Sequence, residues 1–135
     1  MRSLLISSVM VFLSSPMVSA KKPEISQNSI SRKVIEANDI QGTDDQIELI
    51  LIEFPPGTSS PEHTHPVVGL NYIIEGEVDS QYEGEELKHF KAGDSYQDLA
   101  SKPHLIFRNS SKTKLLKFIV ACKIKKGQPF MIPNK

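Results

Sequence analysis

The chain of 135 residues carries 16 Lys or Arg and 16 Asp or Glu side chains, so its formal net charge is zero. That balance argues against nucleic-acid binding, because nucleic-acid binders normally show an excess of basic residues. The length suits one domain. The single cysteine, Cys122, excludes an intramolecular disulfide framework and a zinc site built from several cysteines.

The first 20 residues have the pattern of a cleaved secretory signal peptide. Arg2 is followed by a mostly apolar run over residues 4–13, and small side chains lead to Ala20, after which we expect cleavage. The apolar run is about half as long as a membrane-spanning helix. The sequence therefore predicts an exported protein, periplasmic or secreted, with no membrane role after cleavage.

The remaining chain is predicted to be an N-terminal arm over residues 21–44, with a candidate edge strand, followed by one domain over residues 45–135. Short runs rich in β-branched and aromatic residues alternate with turn signals, and no stretch has a long helical stripe. This pattern indicates an all-β sandwich or barrel. The predicted strands cover residues 47–54, 70–74, 77–82, 87–90, 104–107 and 114–124.

Acidic and basic residues are unevenly distributed along the chain. Residues 75–98 hold eight acids and two lysines, whereas residues 99–135 hold nine Lys or Arg and no acid. A basic C-terminal part could bind an acidic partner. The interpretation that we favour is pairing of the two blocks across neighbouring antiparallel strands. Cys122 lies on the apolar face of its strand, which predicts a buried, inert thiol.

Histidines are the strongest candidates for chemistry. His63 and His65 are two residues apart, so in an extended segment both rings project from one face. An exposed pair in a loop is the alternative. His104 lies on a later strand that a small closed sheet can bring beside the pair. His89, next to a turn, is interpreted as a surface residue.

Two stretches resemble the conserved motifs of the cupin superfamily. Residues 57–76 (GTSSPEHTHPVVGLNYIIEG) are similar to the first motif, with Gly57, His63, His65 and Gly76 in register. Residues 93–109 (GDSYQDLASKPHLIFRN) are similar to the second, and residues 126–130 resemble the closing segment of single-domain cupins. The resemblance covers about residues 47–133. It implies a double-stranded β-helix, or jelly-roll, barrel whose motif histidines bind one divalent metal.

The departures from the motifs bear directly on function. Gly69 stands where the family has its metal-binding glutamate, and Leu99 and Ser101 replace the usual proline and glycine, so that turn is expected to differ. The residues left for a metal are the three motif histidines, His63, His65 and His104. Neutral imidazoles suit iron, zinc, manganese, nickel or copper, and the metal stays unidentified.

Several further residues are candidates for the pocket. Asn71 follows Gly69 on the inward face, and Tyr96 and Asp98 lie in the second motif. Each could contact a ligand or orient a metal ligand, or serve only as a core amide, a core ring or a turn carboxylate. Loss of the glutamate makes the site one charge unit more positive, which favours an anionic ligand.

Two functions remain open from the sequence. One is a metal-dependent enzyme, of dioxygenase, isomerase or decarboxylase type, that acts on a small anionic molecule. The other is a non-catalytic module that binds a small ligand or metal in a degenerate site. An enzyme should place a titratable group near the open positions of the metal. Cupins often form homodimers, and residues 47–54 are a candidate for pairing between subunits.

Overall fold

A computed structural model describes residues 29–135, which form ten β-strands and no helix. The predicted signal peptide and residues 21–28 of the predicted arm lie outside the described residues. The strands are β1 (Ser31–Asp39), β2 (Asp45–Phe54), β3 (His63–Thr64), β4 (Gly69–Glu75), β5 (Glu77–Tyr82), β6 (Lys88–Lys91), β7 (Ser95–Asp98), β8 (His104–Asn109), β9 (Leu116–Lys125) and β10 (Ile132–Pro133).

The strands form two five-stranded sheets that enclose one core. The first sheet has the order β1-β2-β9-β4-β7, and the second has the order β10-β3-β8-β5-β6. Every pairing between these strands is antiparallel. The prediction of an all-β jelly-roll barrel is therefore confirmed. Within residues 29–135, no helix is long and apolar enough to cross a membrane.

The centre of the first sheet shows why the strand predictions for this part of the chain are correct. β2 and β9 alternate buried and partly exposed residues, as expected for strands with one face on the core. Phe54 and Phe118 belong to this inward face and pack against Phe107 of the second sheet. Cys122 is also buried there as a free thiol, as predicted.

One edge of the first sheet lies in residues 21–44, where the sequence offered a candidate edge strand, and not in residues 47–54, the candidate for pairing between subunits. β2 lies between β1 and β9, so residues 47–54 do not form an edge strand. One edge is β1, which pairs with β2 along its length and is exposed throughout, and the other edge is β7. An exposed strand needs no alternation of apolar and polar residues, and for this reason the pattern in residues 31–39 does not fix the bounds of the candidate edge strand. Any pairing between subunits at this edge would involve β1.

The acidic and basic blocks pair across strands. Asp79 on β5 is directly opposite Arg108 on β8, and the guanidinium Nε donates to the carboxylate at 3.0 Å. Lys102 and Glu85 form a second ion pair at 2.9 Å. The expected pairing of opposite charges between the acidic and basic blocks is thus observed. His89 is exposed, as predicted, and its ring contacts Asp79 on the outer face.

Two turns have backbone conformations that glycine favours. Gly76 has φ of +82°, and a Cβ there would overlap the carbonyl oxygen of Leu115. Ser101 has φ of 59° and is the one residue other than glycine with positive φ in the described part of the chain. It stands where the family uses glycine. Here the turn keeps a left-handed conformation, and Ser101 is strained as a result.

Replacing Ser101 with glycine is expected to stabilise the protein. No hydrogen bond to the Ser101 side chain is lost, because its contact with His65 is made by the backbone amide at 2.7 Å. We expect a gain of about 0.5–1 kcal/mol and a rise of a few degrees in the melting temperature. The matched control is Ser95→Gly in β7, where φ is not positive and the change should destabilise by a similar amount. A Ser101→Gly protein that melts at or below the wild-type temperature would contradict this expectation.

Candidate metal centre

His63 and His104 are brought side by side by strand pairing. The two residues are directly opposite in the β3–β8 ladder. Their side chains face the core, with exposed fractions of 2% and 1%, and their ring centroids are 4.9 Å apart. Opposite residues of an antiparallel pair have their side chains in contact range. The second sheet thus places two of the predicted ligands together inside the barrel.

His65 completes the group from the end of β3. Its ring points to the same side as that of His63, and the two Nε2 atoms are 3.2 Å apart. The Nδ1 atom of His63 donates to the carbonyl of Pro61 at 2.7 Å, and that of His65 donates to the carbonyl of Phe130 at 2.9 Å. In a neutral imidazole whose Nδ1 donates, Nε2 carries the lone pair that can bind a metal. The two Nε2 atoms are thus placed as ligands of one ion.

The ring of His104 is held by two neighbours on β5. Its Nε2 atom lies 2.8 Å from Ser80 Oγ, and its ring stacks on Tyr82 with centroids 3.9 Å apart. Its Nδ1 atom is buried without a hydrogen-bond partner among residues 29–135. A buried ring nitrogen with no partner is destabilising, and an additional ligand would satisfy it.

The three histidines fit one metal ion. One ring nitrogen from each lies within 4.8 Å of those of the other two. Nitrogens that bind one first-row ion at about 2.0–2.1 Å are roughly 3.0–3.4 Å apart, which includes the distance between His63 and His65. The cavity that they line measures about 20 Å³, room for one ion or one water molecule. The predicted convergence of His63, His65 and His104 is therefore present.

Burial keeps two of these rings neutral. It lowers the pKa of His63 to about 4, an effect that nearby His65 and Arg32 increase and the hydrogen bond to Pro61 partly offsets. It also lowers the pKa of His104 to about 3. Neutral imidazole is the form that binds a metal. At neutral pH neither ring would have to lose a proton first.

A carboxylate lies opposite the position where the family has its glutamate. Gly69 on β4 is paired directly with Asp98 on β7, and Asp98 is 3% exposed. A Cβ on Gly69 would lie 2.9 Å from Asp98 Oδ2 and 2.5 Å from Cζ of Phe130. The space for a longer side chain is thus filled from the neighbouring strand and from the C-terminal segment. Asp98 Oδ1 lies 3.7 Å from His65 Nε2.

Two hydrogen bonds hold the Asp98 carboxyl group. Asn71 donates its side-chain amide to Oδ2 at 2.9 Å, and the Tyr82 hydroxyl donates to Oδ1 at 2.9 Å. Burial raises the pKa of Asp98, although His65 and the two donors act in the opposite direction. A raised pKa in a buried carboxyl group beside a candidate metal centre is typical of groups that transfer protons.

The other predicted pocket residues are less close to the histidines. Asn71 reaches them only through Asp98 and does not line the cavity. Tyr96 shares the inward face of β7 with Asp98, but its ring stacks on Phe90 with centroids 4.7 Å apart, and it does not line the cavity. Its hydroxyl is buried without a hydrogen-bond partner in the described part of the chain.

The structure adds residues that the sequence reasoning did not identify. Phe130 orients His65 through its carbonyl and fills the space beside Gly69 with its ring. Ser80 and Tyr82 hold His104, and Arg32 on β1 lies at the rim of the same cavity. Residues 126–130 did resemble a closing segment of the family, which was a signal for Phe130. Arg32 had none, because β1 lacks a recognisable pattern.

Comparison with known proteins agrees with the fold. Residues 50–122 match the family model for the cupin domain, which is more than half of the chain. The chain therefore belongs to the cupin family. None of the curated proteins matches it significantly.

Solved structures of similar fold include both uncharacterised proteins and enzymes. A protein from Klebsiella pneumoniae with a double-stranded β-helix domain is 22% identical, with 82% of this chain and 89% of that chain covered and a TM-score of 0.60. The polyketide cyclase RemF from Streptomyces resistomycificus is 17% identical, with coverage of 78% and 71% and a TM-score of 0.59. The DMSP lyase DddQ from Ruegeria pomeroyi is 20% identical, with coverage of 68% and 44% and a TM-score of 0.56.

Proposed function

We propose that this protein is a metal-dependent enzyme that acts on a small anionic molecule. His63, His65 and His104 hold one divalent transition-metal ion. The observation that carries the proposal is the 3.2 Å separation of the Nε2 atoms of His63 and His65, in an ion-sized cavity beside the buried carboxyl group of Asp98. Three protein ligands leave coordination positions open to water or substrate.

The bound ion would supply Lewis acidity, which polarises a carbonyl group or lowers the pKa of bound water. The other functions belong to the chain itself. The carbonyls of Pro61 and Phe130 orient the two neighbouring imidazoles. Asp98 accepts or donates a proton at Oδ1, and Asn71 and Tyr82 fix the position of its carboxyl group. Phe54, Phe107 and Phe118 line the cavity and exclude water.

The presence of Asp98 favours an enzyme over a binding module. A module that only stores a ligand or a metal has no need of a proton-transfer group beside the ligand. Asp98 is buried 3.7 Å from a metal-ligating nitrogen, within the region where a substrate atom would have to react. Two of the solved structures of similar fold are enzymes, a lyase and a cyclase.

Export and self-association are further parts of the proposal. The pattern of residues 1–20 supports secretion or residence in the periplasm, with residues 21–44 and 45–135 as arm and catalytic domain. The free edge of β1 is the surface that supports a homodimer, because an unpaired edge strand readily pairs with another.

The Asp98→Asn variant separates metal binding from catalysis. The variant keeps all three histidines, so we expect it to bind the same amount of metal as the wild type. With a panel of small carboxylic acids followed by NMR, we expect turnover by the wild type and a rate about 10²–10⁴ lower in the variant. Asp79→Asn, on the outer face of β5, is the control and should react normally. Equal rates in all three proteins would refute the role of Asp98, and no turnover of any acid would favour a binding module.

A further inference from the structure

A larger groove adjoins the ion-sized cavity. The groove has a volume of about 370 Å³ and lies between the inner face of β1 and β2 and the C-terminal segment. Pockets for small organic ligands typically measure about 300–1,000 Å³. Four residues line both spaces and therefore form the boundary between them, namely Arg32, Ile52, Phe130 and Met131. A ligand in this groove would have one end beside the three histidines.

The guanidinium group of Arg32 lies at this boundary without a counter-ion. Its Nη2 atom lies 3.2 Å from Ser60 Oγ and 3.4 Å from Met131 Sδ, and the group sits 5.7 Å from the ring centroid of Phe54. No carboxylate among residues 29–135 is within 4.0 Å of it. Although β1 is exposed, burial of this group lowers the pKa of Arg32. A partly buried cation without a counter-ion is costly, and a bound anion offsets that cost.

The positive charge of Arg32 is directed at the metal centre. It is close enough to His63 to lower the pKa of that ring further. A metal ion on the three histidines would add to the same positive field. The end of the groove beside the histidines therefore selects a negatively charged group.

The other end of the groove has the opposite character. Glu48 lines it, is buried, and accepts a hydrogen bond from the side-chain amide of Gln46. It stands four residues along β2 from Ile52, the residue opposite Arg32, which is about 13 Å in an extended strand. Between the two charges the walls are apolar side chains of Ile50, Ile52, Phe130 and Met131. A second anionic group would be repelled at the Glu48 end.

We propose that Arg32 binds the anionic group of the substrate, and that the substrate is a small monocarboxylate with an apolar body lying along this groove. This inference rests on the proposed function insofar as the bound molecule is a substrate. The binding itself depends only on the groove. Arg32 forms the bidentate contact that a guanidinium makes with a carboxylate. The apolar walls hold the hydrocarbon part, and Glu48 sets the preference for one negative charge over two.

Binding of straight-chain acids from acetate to octanoate tests this inference. Titrations followed by ¹⁵N NMR would use the full chain, with zinc and without it, and with hexanamide as the uncharged probe. We expect hexanoate to bind more tightly than hexanamide. Arg32→Met should weaken hexanoate binding at least tenfold, Arg32→Lys should weaken it less, and neither should change hexanamide binding. Lys33→Met, the next residue on β1, is the control and should bind normally.

The far end of the groove has its own test with adipate, which has six carbons and two carboxylates. The wild type should bind it more weakly than hexanoate, and Glu48→Gln should reduce that difference. Equal hexanoate binding by the wild type and Arg32→Met, or no saturable binding of any acid in the series, overturns the inference. A protein that binds hexanoate through Arg32 but holds no metal supports this inference and refutes the metal centre, so the two failures are distinguishable.

Discussion

The His63→Ala/His104→Ala double variant is expected to lose its metal completely. Wild-type protein purified without a chelator should contain close to one equivalent of a transition metal, because three imidazoles converge on one small cavity. The variant keeps only His65, and a single imidazole does not retain a divalent ion through purification. Elemental analysis of the two proteins measures the difference. His89→Ala, which removes an exposed histidine on the outer face, should leave the content unchanged.

Stability provides an independent measure of the same site. Metal that binds only the folded state stabilises it, by about 2.7 kcal/mol when its free concentration is 100 times the dissociation constant. Adding zinc to chelator-treated wild type should therefore raise the melting temperature by several degrees, and adding it to the double variant should not. Equal trace metal in both proteins, together with no effect of zinc on wild-type melting, would remove the metal centre.

Replacing Gly69 with the glutamate of the family motif is expected to destabilise the protein. A Cβ there would lie 2.5 Å from Phe130 Cζ and 2.9 Å from Val120 Cγ1, so Gly69→Ala already overpacks the core. We expect a cost of about 1–3 kcal/mol for alanine. Gly69→Glu should cost more, at least about 3 kcal/mol, because it also places a second carboxylate beside the buried Asp98. Urea unfolding measures both, with Leu70→Ala at an exposed position of β4 as the mild control.

A compensating change tests whether the carboxylate has moved from one strand to its neighbour. In Gly69→Glu/Asp98→Ala the acid returns to β4 and the competing side chain on β7 is shortened. The free energy of unfolding should be higher than the sum of the two single effects predicts, with a coupling of about 1–3 kcal/mol. Additive effects would mean that the two positions do not share one space. If Gly69→Glu lost no more stability than Leu70→Ala, the close packing described around Gly69 would be contradicted.

The parts of the fold that the sequence predicts are those in which one face is buried. In β2 and β9 apolar residues recur at every second position because one face of each strand contacts the core. Both strands are found where expected. The sequence did not predict β7, and it gave no bounds for β1 beyond a candidate edge strand within residues 21–44, for physical reasons. β1 is exposed along its whole length, and β7 (SYQD) consists of polar and aromatic residues whose burial depends on what packs above them.

The candidate site likewise has residues that the sequence predicts and residues that it does not. The spacing of His63 and His65 shows that their side chains share one face of an extended segment, and the second motif places His104 within reach of them. These three residues are therefore predictable from local sequence pattern. The opposition of Gly69 and Asp98 depends on the register between β4 and β7, which no local pattern encodes. Arg32 and Phe130 come from segments far apart in the chain, and only the closed barrel brings them to the histidines.

Phe130 gives this protein an evolutionary constraint. Its carbonyl accepts a hydrogen bond from His65, its ring occupies the volume that a glutamate at position 69 would need, and it forms part of the groove wall. A mutation that reshapes the groove at this position also disturbs the ligand geometry and the room beside Gly69. Changes in the shape of the groove are therefore expected to be tolerated better at Ile50 or Met131, which line the groove without a hydrogen bond to His65, than at Phe130.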